Sequence, residues 1–372
     1  MDILIKMKKT ELINICKKKG IKNYSSKNKL KLIELIKSND DDKIIKSNDD
    51  NKKLKVLDLF CGCGGFSKGL HDANLNIIFA IDIWDKAIEN YNKNFNHKAY
   101  CYDLTKLSPE DFNELYNKDN LTIDLIVGGP PCTTFSQAGL RDMDDPRNNL
   151  FMEYVKYLNY FKPKAFIMEN VIGILSKKTK NNEMIIDIIM NELNVNYNCM
   201  INKLYASDFE VPQNRRRVII IGVRKDLDIQ LKEPKLIITS IENRIPVKDI
   251  LLPREEIDPS YYLSKKAING IINKKLKSKE KGNGFGAQFL DLNKPCYTIP
   301  SRYWKDGYDA LVKYNDDEIR RLTILELKRI QSFPDDYILE GTKKDIIIQI
   351  GNAVACKFAY HLGKYIIDLL NP

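Results

Sequence analysis

The sequence predicts an α/β fold built on a doubly wound parallel sheet, and three observations carry that prediction. Short apolar runs of strand length alternate with amphipathic stretches of helix length from about residue 54 to 223. A glycine-rich turn, Cys61-Gly62-Cys63-Gly64-Gly65, follows the first run, and Asp82 ends the second. Sheets of this kind build their ligand edge from such turns and strand-end carboxylates. Finally, Gly129-Pro130-Pro131-Cys132 closes a later apolar run, Ile123-Asp124-Leu125-Ile126-Val127. Its two prolines fix φ and stiffen the loop that carries a thiol. That thiol reads either as a positioned nucleophile or as a small buried packing residue.

The elements follow in order. Residues 8–18 read as a helix with Leu12, Ile15 and Cys16 on one face, stopped by Gly20, and 27–37 as a second, with Leu30 and Ile33 apolar and Ser25 or Ser26 as cap. Lys37-Ser38-Asn39-Asp40-Asp41 then recurs as Lys46-Ser47-Asn48-Asp49-Asp50, a polar duplication without aromatics that reads as a linker over 39–52. Strands are expected at 54–60, 76–81, 100–103, 123–127, 164–168 and 217–223. Helices are expected at 66–72, 84–94, 149–161 and 183–193. Residues 225–316 break the rhythm with mixed charges, prolines and glycines. Helices at about 317–332 and 353–369 close the chain.

Composition narrows the classes. No 18-residue apolar stretch and no signal-peptide pattern is present, which predicts an intracellular, soluble protein of the cytoplasm, or of the nucleus or a viral replication site, with no membrane partner. Eight cysteines at scattered spacings give neither a zinc pattern nor a disulfide framework, so no metal is expected. The net charge is +10, and residues 1–38 supply +8 of it, from 11 Lys against 3 acidic residues. A local basic segment suits nucleic acid phosphates, although a solvated lysine face reads the same way.

Three successive strand ends suggest a nucleoside site. The first ends at Phe60 and turns through Gly62, Cys63, Gly64 and Gly65, where the backbone can approach a ligand. The spacing lacks the third glycine of the dinucleotide fingerprint, which favours an adenosyl ligand over a pyrophosphate. Asp82 is placed to accept from ribose hydroxyls, Trp84 to stack on a purine, and Asp103 to accept from its amine; either carboxylate also reads as a helix cap. No triphosphate loop is present.

These residues carry a resemblance. Asp58-Leu59-Phe60-x-Gly62-x-Gly64-Gly65, Gly129-Pro130-Pro131-Cys132, Glu169-Asn170-Val171, Gln213-x-Arg215-x-Arg217, Arg321-Leu322-Thr323 with Gln331-Ser332-Phe333-Pro334, and Gln349-Ile350-Gly351-Asn352-Ala353-Val354 occur in that order. The chain resembles the C5-specific cytosine DNA methyltransferases from about residue 54 to 369. The resemblance implies a Rossmann-like methyltransferase sheet with a small inserted target-recognition domain, S-adenosyl-L-methionine as methyl donor, and an extruded cytosine of double-stranded DNA as acceptor. Cys132 matches the nucleophile that adds to C6, activated by nearby positive charge. Glu169 matches the residue that contacts N3 and the exocyclic amine, Arg217 the one that holds O2, and Arg215 its neighbour by the same pocket. Asn170 is expected to order the proline loop. The cofactor set then includes Ile83, Leu104, Pro130, Leu150, Asn352 and Val354. In the loop after the nucleophile, Ser136 and Arg147 are expected to meet DNA. The chain departs from the family pattern at Thr133-Thr134, at Ala355 where proline is common, and at Asp82 where glutamate is common.

The resemblance divides the chain into a helical module at 1–38, a linker at 39–52, a cofactor-binding catalytic domain at 53–224, a target-recognition region at 225–316, and a closing helical segment at 317–372. The first module resembles a SAP-type DNA-binding hairpin in the spacing of Leu12, Gly20-Ile21 and Lys29-Leu30. The recognition region carries a lysine run including Lys277, suited to phosphates, and Arg302, suited to base edges. A monomer is expected, and the resemblance leaves room for a cognate restriction endonuclease. One branch of the family acts on tRNA; its Cys-Phe-Thr tripeptide does not occur here. A non-catalytic regulator on the same fold is the other alternative.

Overall fold

The computed structural model describes residues 9–18, 29, 31–32, 53–118, 120–131, 150–179, 181–280, 287–305 and 307–371. It divides into two units, 1–53 and 54–372. In the first, α1 (Lys9–Lys18) buries Leu12 and Cys16, while Ile15 is only half-buried. Lys29, Lys31 and Leu32 are helical, with Leu32 buried; the rest of the expected second helix and the linker lie outside the described residues.

The second unit is organised by a seven-stranded sheet. Its strands are β1 (Lys55–Leu59), β2 (Asn76–Asp82), β3 (Ala99–Cys101), β4 (Leu125–Gly128), β5 (Ala165–Val171), β6 (Tyr197–Tyr205) and β7 (Arg216–Arg224), in the order β3-β2-β1-β4-β5-β7-β6. Chain order reverses direction at β1, between β2 and β4, which opens a crevice beyond the carboxyl ends of the strands. The first five strands run parallel, but β7 is antiparallel to both β5 and β6. The sequence predicted only parallel strands and missed β6. That strand lies at the sheet edge, where Asn198 and Lys203 are exposed and its alternation is too polar to stand out.

Residues in the central strands alternate between two apolar faces, as a sheet covered on both sides requires. Leu57, Leu59, Ile126, Phe166 and Met168 join Phe112 of α4 (Pro109–Tyr116), Tyr154 and Leu158 of α5 (Leu150–Phe161), and Ile189 of α6 (Ile185–Leu193). On the other face, Val56, Leu125, Val127 and Ile167 pack with Phe66 and Leu70 of α2 (Gly65–Asp72), and with Phe358 and Leu362 of α10 (Cys356–Leu370). The final helix thus returns to the first strand's neighbourhood. Helix α3 (Asp85–Asn94) flanks β2 and β3. Helix α4 was not anticipated, although Ser108 caps it by accepting from Asp111 N and Pro109 opens it.

The segment 225–316 consists mostly of short 3-10 turns, with one longer helix, α7 (Lys265–Glu280), and the strand β8 (Leu311–Lys313). Val247, Cys296, Ile299 and Tyr303 share a core with Leu322, Leu327 and Ile330, and with Ile347 and Ile350 of α9 (Lys343–Asn352). The stretch 317–332 is not one helix. Ile319–Arg321 forms β9, which pairs with β8, and only Ile324–Ile330 is helical, as α8. The break is chemical. Thr323 forms a capping box with Glu326, and Glu326 also holds the buried guanidinium of Arg320 through two 2.8 Å hydrogen bonds.

Candidate functional site

A cleft of about 1040 Å³ lies over the carboxyl ends of β1, β2, β4 and β5. Its floor begins with Phe60, which adopts a left-handed φ of 60° that a bulky residue rarely accepts. Gly64 follows with φ 92°; a Cβ there would lie 2.7 Å from both Phe95 Cε2 and Tyr337 Oη, so only glycine fits. Tyr337 Oη also donates to Cys63 O at 2.5 Å, fastening this loop to the C-terminal segment. Gly62 differs: a Cβ at that position would meet nothing within 4 Å, so the bare backbone faces open space.

Asp82 holds the loop in shape. Its Oδ2 accepts from Gly62 N and its Oδ1 from Trp84 N, both at 2.8 Å. Burial raises its pKa, while the backbone donors pull it down. Asp103 makes local bonds just past the end of β3. Its Oδ1 accepts from Thr105 N and Thr105 Oγ1, and these bonds lower its pKa. Of the expected cofactor residues, Phe60, Gly62, Cys63, Asp82, Ile83, Trp84, Pro130, Asn352 and Val354 line the cleft. Gly64, Gly65, Asp103, Leu104 and Leu150 are not in its wall. Leu104 is buried in the core of the sheet face, and Gly65 lies against Val354 O, where a Cβ would come within 2.3 Å.

At the other end of the cleft, β5 and β7 bring Glu169 and Arg217 together, with Arg217 Nε 2.6 Å from Glu169 Oε1. The N–H is not aligned with the carboxylate, so the contact is an ion pair rather than a linear hydrogen bond. Asn170 Nδ2 donates to Pro130 O at 3.1 Å, joining the tip of β5 to the proline loop. Arg215, expected beside the same pocket, lines the cleft together with Arg217. It is 4% exposed; Nη1 donates to Ile299 O at 3.4 Å and Nη2 to Gly351 O at 3.1 Å. Burial, and then the charge of Arg217, push its pKa down.

Cys132, Ser136 and Arg147 lie outside the described residues, as does the side chain of Lys277; Pro131, next to Cys132, is on the cleft wall. Arg302 also lines the cleft and pairs with Asp309 through a 2.7 Å hydrogen bond. The wall further includes residues given no role on sequence grounds. Asp58 and Gln349 stand within quoted motifs, whereas Thr298, Pro300 and Ser301 had no sequence signal at all.

Asp58 is buried and accepts from Ser67 Oγ at 2.6 Å, with Oδ1 unpartnered; Gln349 likewise has its Nε2 buried without a partner. Open space above Gly62 and these two orphan polar atoms suit an adenosyl amino acid, which presents both ammonium and carboxylate groups.

Sheet order, antiparallel β7 and a cleft at the carboxyl edge define a doubly wound α/β protein that takes its ligands between β1 and the neighbouring strands. The sequence matches the family described as C-5 cytosine-specific DNA methylase over residues 54–368, and the chain belongs to that family. It is 33% identical over 322 residues to the type II methyltransferase M.SsoII of Shigella sonnei, an alignment covering 86% of this chain and 81% of that one. It is 34% identical over 341 residues to M.FnuDI of Fusobacterium nucleatum, covering 85% and 95%. The S. pombe Dnmt2 methyltransferase structure superposes with a TM-score of 0.66 at 22% identity, over 86% of this chain and all of that one, which supports the fold. Among the described residues no helix is long and apolar enough to cross a membrane, and no group of three or more His, Cys, Asp or Glu is arranged to hold a metal ion.

Proposed function

We propose that this protein transfers a methyl group from S-adenosyl-L-methionine to C5 of a cytosine extruded from duplex DNA. The observation that carries the reading is the single cleft that joins the glycine loop and Asp82 at one end to the Glu169–Arg217 pair at the other. Phe60, Gly62, Asp82, Trp84, Asn352 and Val354 would hold the cofactor. Bound there, it supplies an electrophilic methyl group.

Cys132 follows the loop that Asn170 anchors, and its thiolate adds to C6 of cytosine. The bond formed at C6 turns C5 into an enamine carbon that can attack the methyl group. Loss of the C5 proton then restores the double bond and expels the thiolate. Glu169 stabilises the ring through N3 and the exocyclic amine, and Arg217 holds O2 while balancing the Glu169 charge. Contacts from Ser136, Arg147, Lys277 and Arg302 would keep the duplex in place.

The segment 225–316 reads the target sequence on this account. Residues 1–38, SAP-like in their spacing, act as a basic tether that raises local DNA concentration. The protein acts as a monomer in the cytoplasm, alongside a restriction endonuclease of the same specificity.

The test is a duplex containing 5-fluorocytosine at the target, whose C5 substituent cannot leave as a proton. The expected result is a covalent complex that needs both S-adenosylmethionine and Cys132. Bisulfite sequencing of plasmid from an expressing host identifies the target. Methylation of tRNA with no adduct on any cytosine-containing duplex would overturn the DNA assignment.

A further inference from the structure

Two backbone segments meet on the cleft wall. Residues 349–354 run beside the glycine loop, with Val354 O against Gly65, and residues 298–302 come from the recognition region and line the same cleft as Arg217. The entry to β7 bolts them together. Arg215 reaches both segments, donating to Ile299 O on one and Gly351 O on the other. Gln213 Oε1 accepts the Ile299 N–H at 3.0 Å, and its Nε2 donates to Gln331 Oε1 at 3.0 Å. Gln331 Nε2 carries the network on to Ile350 O at 2.8 Å and Ala353 O at 3.2 Å. The backbones themselves abut: a Cβ on Gly351 would lie 2.6 Å from Ser301 N and 2.8 Å from Pro300 C.

A guanidinium is an expensive joint in this position. It is buried beside a second cation, Arg217; its two hydrogen bonds go to neutral carbonyls rather than to a carboxylate, and its Nε is buried without a partner. Ordinary packing does not require a charge there. What the arginine fork provides is a rigid, planar set of donors that can hold two separate carbonyls at once, which a lysine point charge does poorly.

We propose that Arg215 is a positioning residue that couples the two substrates, by locking the cofactor-side segment 349–354 to the DNA-side segment 298–302. Occupation of either end of the cleft then orders the other. This rests on the reading of the cleft as a joint cofactor and cytosine site. Because coupling is reciprocal, DNA must tighten cofactor binding by the same factor as cofactor tightens DNA.

The experiment uses the full chain with S-adenosylhomocysteine, which permits no turnover, and the duplex site found by bisulfite sequencing. Calorimetry gives the S-adenosylhomocysteine Kd with and without saturating duplex. The wild type is expected to show a ratio on the order of tenfold, and Arg215→Lys and Gly351→Ala a ratio near one, even where each separate affinity falls. A merely structural role would weaken both affinities and leave the ratio intact.

Hydrogen exchange of the wild type supplies a readout that needs no variant. S-adenosylhomocysteine alone should slow exchange at the Ile299 amide as well as over 349–354. Protection that stops at 349–354, or a wild-type ratio in Arg215→Lys, overturns the coupling while leaving the methyltransferase reading intact. A wild type that binds neither ligand overturns both.

Discussion

Glu169 and Arg217 are diagonal neighbours across an antiparallel strand pair, and Glu169 Oε1 stands 2.6 Å from Arg217 Nε. The register makes this inevitable: Glu169 faces Ile219 and Val171 faces Arg217, so the two side chains share a sheet face two residues apart. A parallel β7 would enter from the opposite end and deliver Arg217 elsewhere. The reversal of that one strand therefore builds the base end of the cleft. Glu169→Gln keeps the shape but removes the charge that pairs with Arg217. It is expected to slow single-turnover methyl transfer by about 10²-fold or more, with S-adenosylmethionine affinity nearly unchanged. Equal losses in binding and turnover would show that the pair only shapes the cleft.

Asp82 supports the cofactor end through its local bonds. Its two oxygens hold Gly62 N and Trp84 N, so removing the carboxylate releases the glycine loop as well as any ribose contact. Asp82→Ala is expected to weaken S-adenosylmethionine binding by about 10- to 100-fold, given roughly 1.5–3 kcal/mol for a charged hydrogen bond lost. Affinity for the target duplex in the absence of cofactor should change little, and fluorescence titration of each ligand separates the two effects.

The legibility of the site in the sequence follows from chain proximity. Phe60, Gly62 and Asp82 were readable because Asp82 ends β2 and Phe60 and Gly62 follow directly on β1, where a short apolar run is broken by acid or glycine. Glu169 and Arg217 were readable only through the family resemblance, since their meeting depends on an antiparallel register that no local pattern reveals. Asp103 was readable in the same way, as a strand-end carboxylate; its Oδ1 accepts from Thr105 N and Thr105 Oγ1, a local turn the sequence also allowed. Thr298, Pro300 and Ser301 reach the cleft from a segment without regular periodicity, held there by Gln213 and Arg215 across more than 80 residues of chain.

The buried Arg320–Glu326 pair makes a stability prediction. Both side chains have 0% exposure, and Glu326 also accepts from Thr323 N and Leu252 N. Glu326→Ala leaves a buried guanidinium without its counter-charge and two backbone donors without partners, and should cost about 3–5 kcal/mol. Replacing the pair together, Arg320→Met with Glu326→Leu, removes the stranded charge and should recover a substantial part of that loss. Urea unfolding midpoints of the three proteins test the difference.

Asp58 makes stability depend on pH in a direction unusual for a carboxylate. Burial raises its pKa from the ordinary 3.8 to about 7, with the Ser67 hydrogen bond opposing and the Asp82 charge adding. The folded state therefore holds a proton that the unfolded state releases. Its contribution to stability is complete below about pH 4 and is lost as pH rises to about 7, at up to about 1.4 kcal/mol per pH unit. His97 acts in the opposite sense. Burial lowers its pKa from 6.5 to about 4, so its contribution is absent in acid and grows as pH rises across that interval. The two oppose each other below pH 6.5, which is why wild-type stability alone would mask both. Asp58→Asn isolates the carboxyl. Relative to wild type, the variant should gain stability steadily from pH 4.5 to 7 and keep a constant difference above pH 8, as read from urea midpoints at fixed ionic strength. A difference independent of pH would mean that Asp58 is ionised throughout, held so by a cation or donor close to its Oδ1 atom.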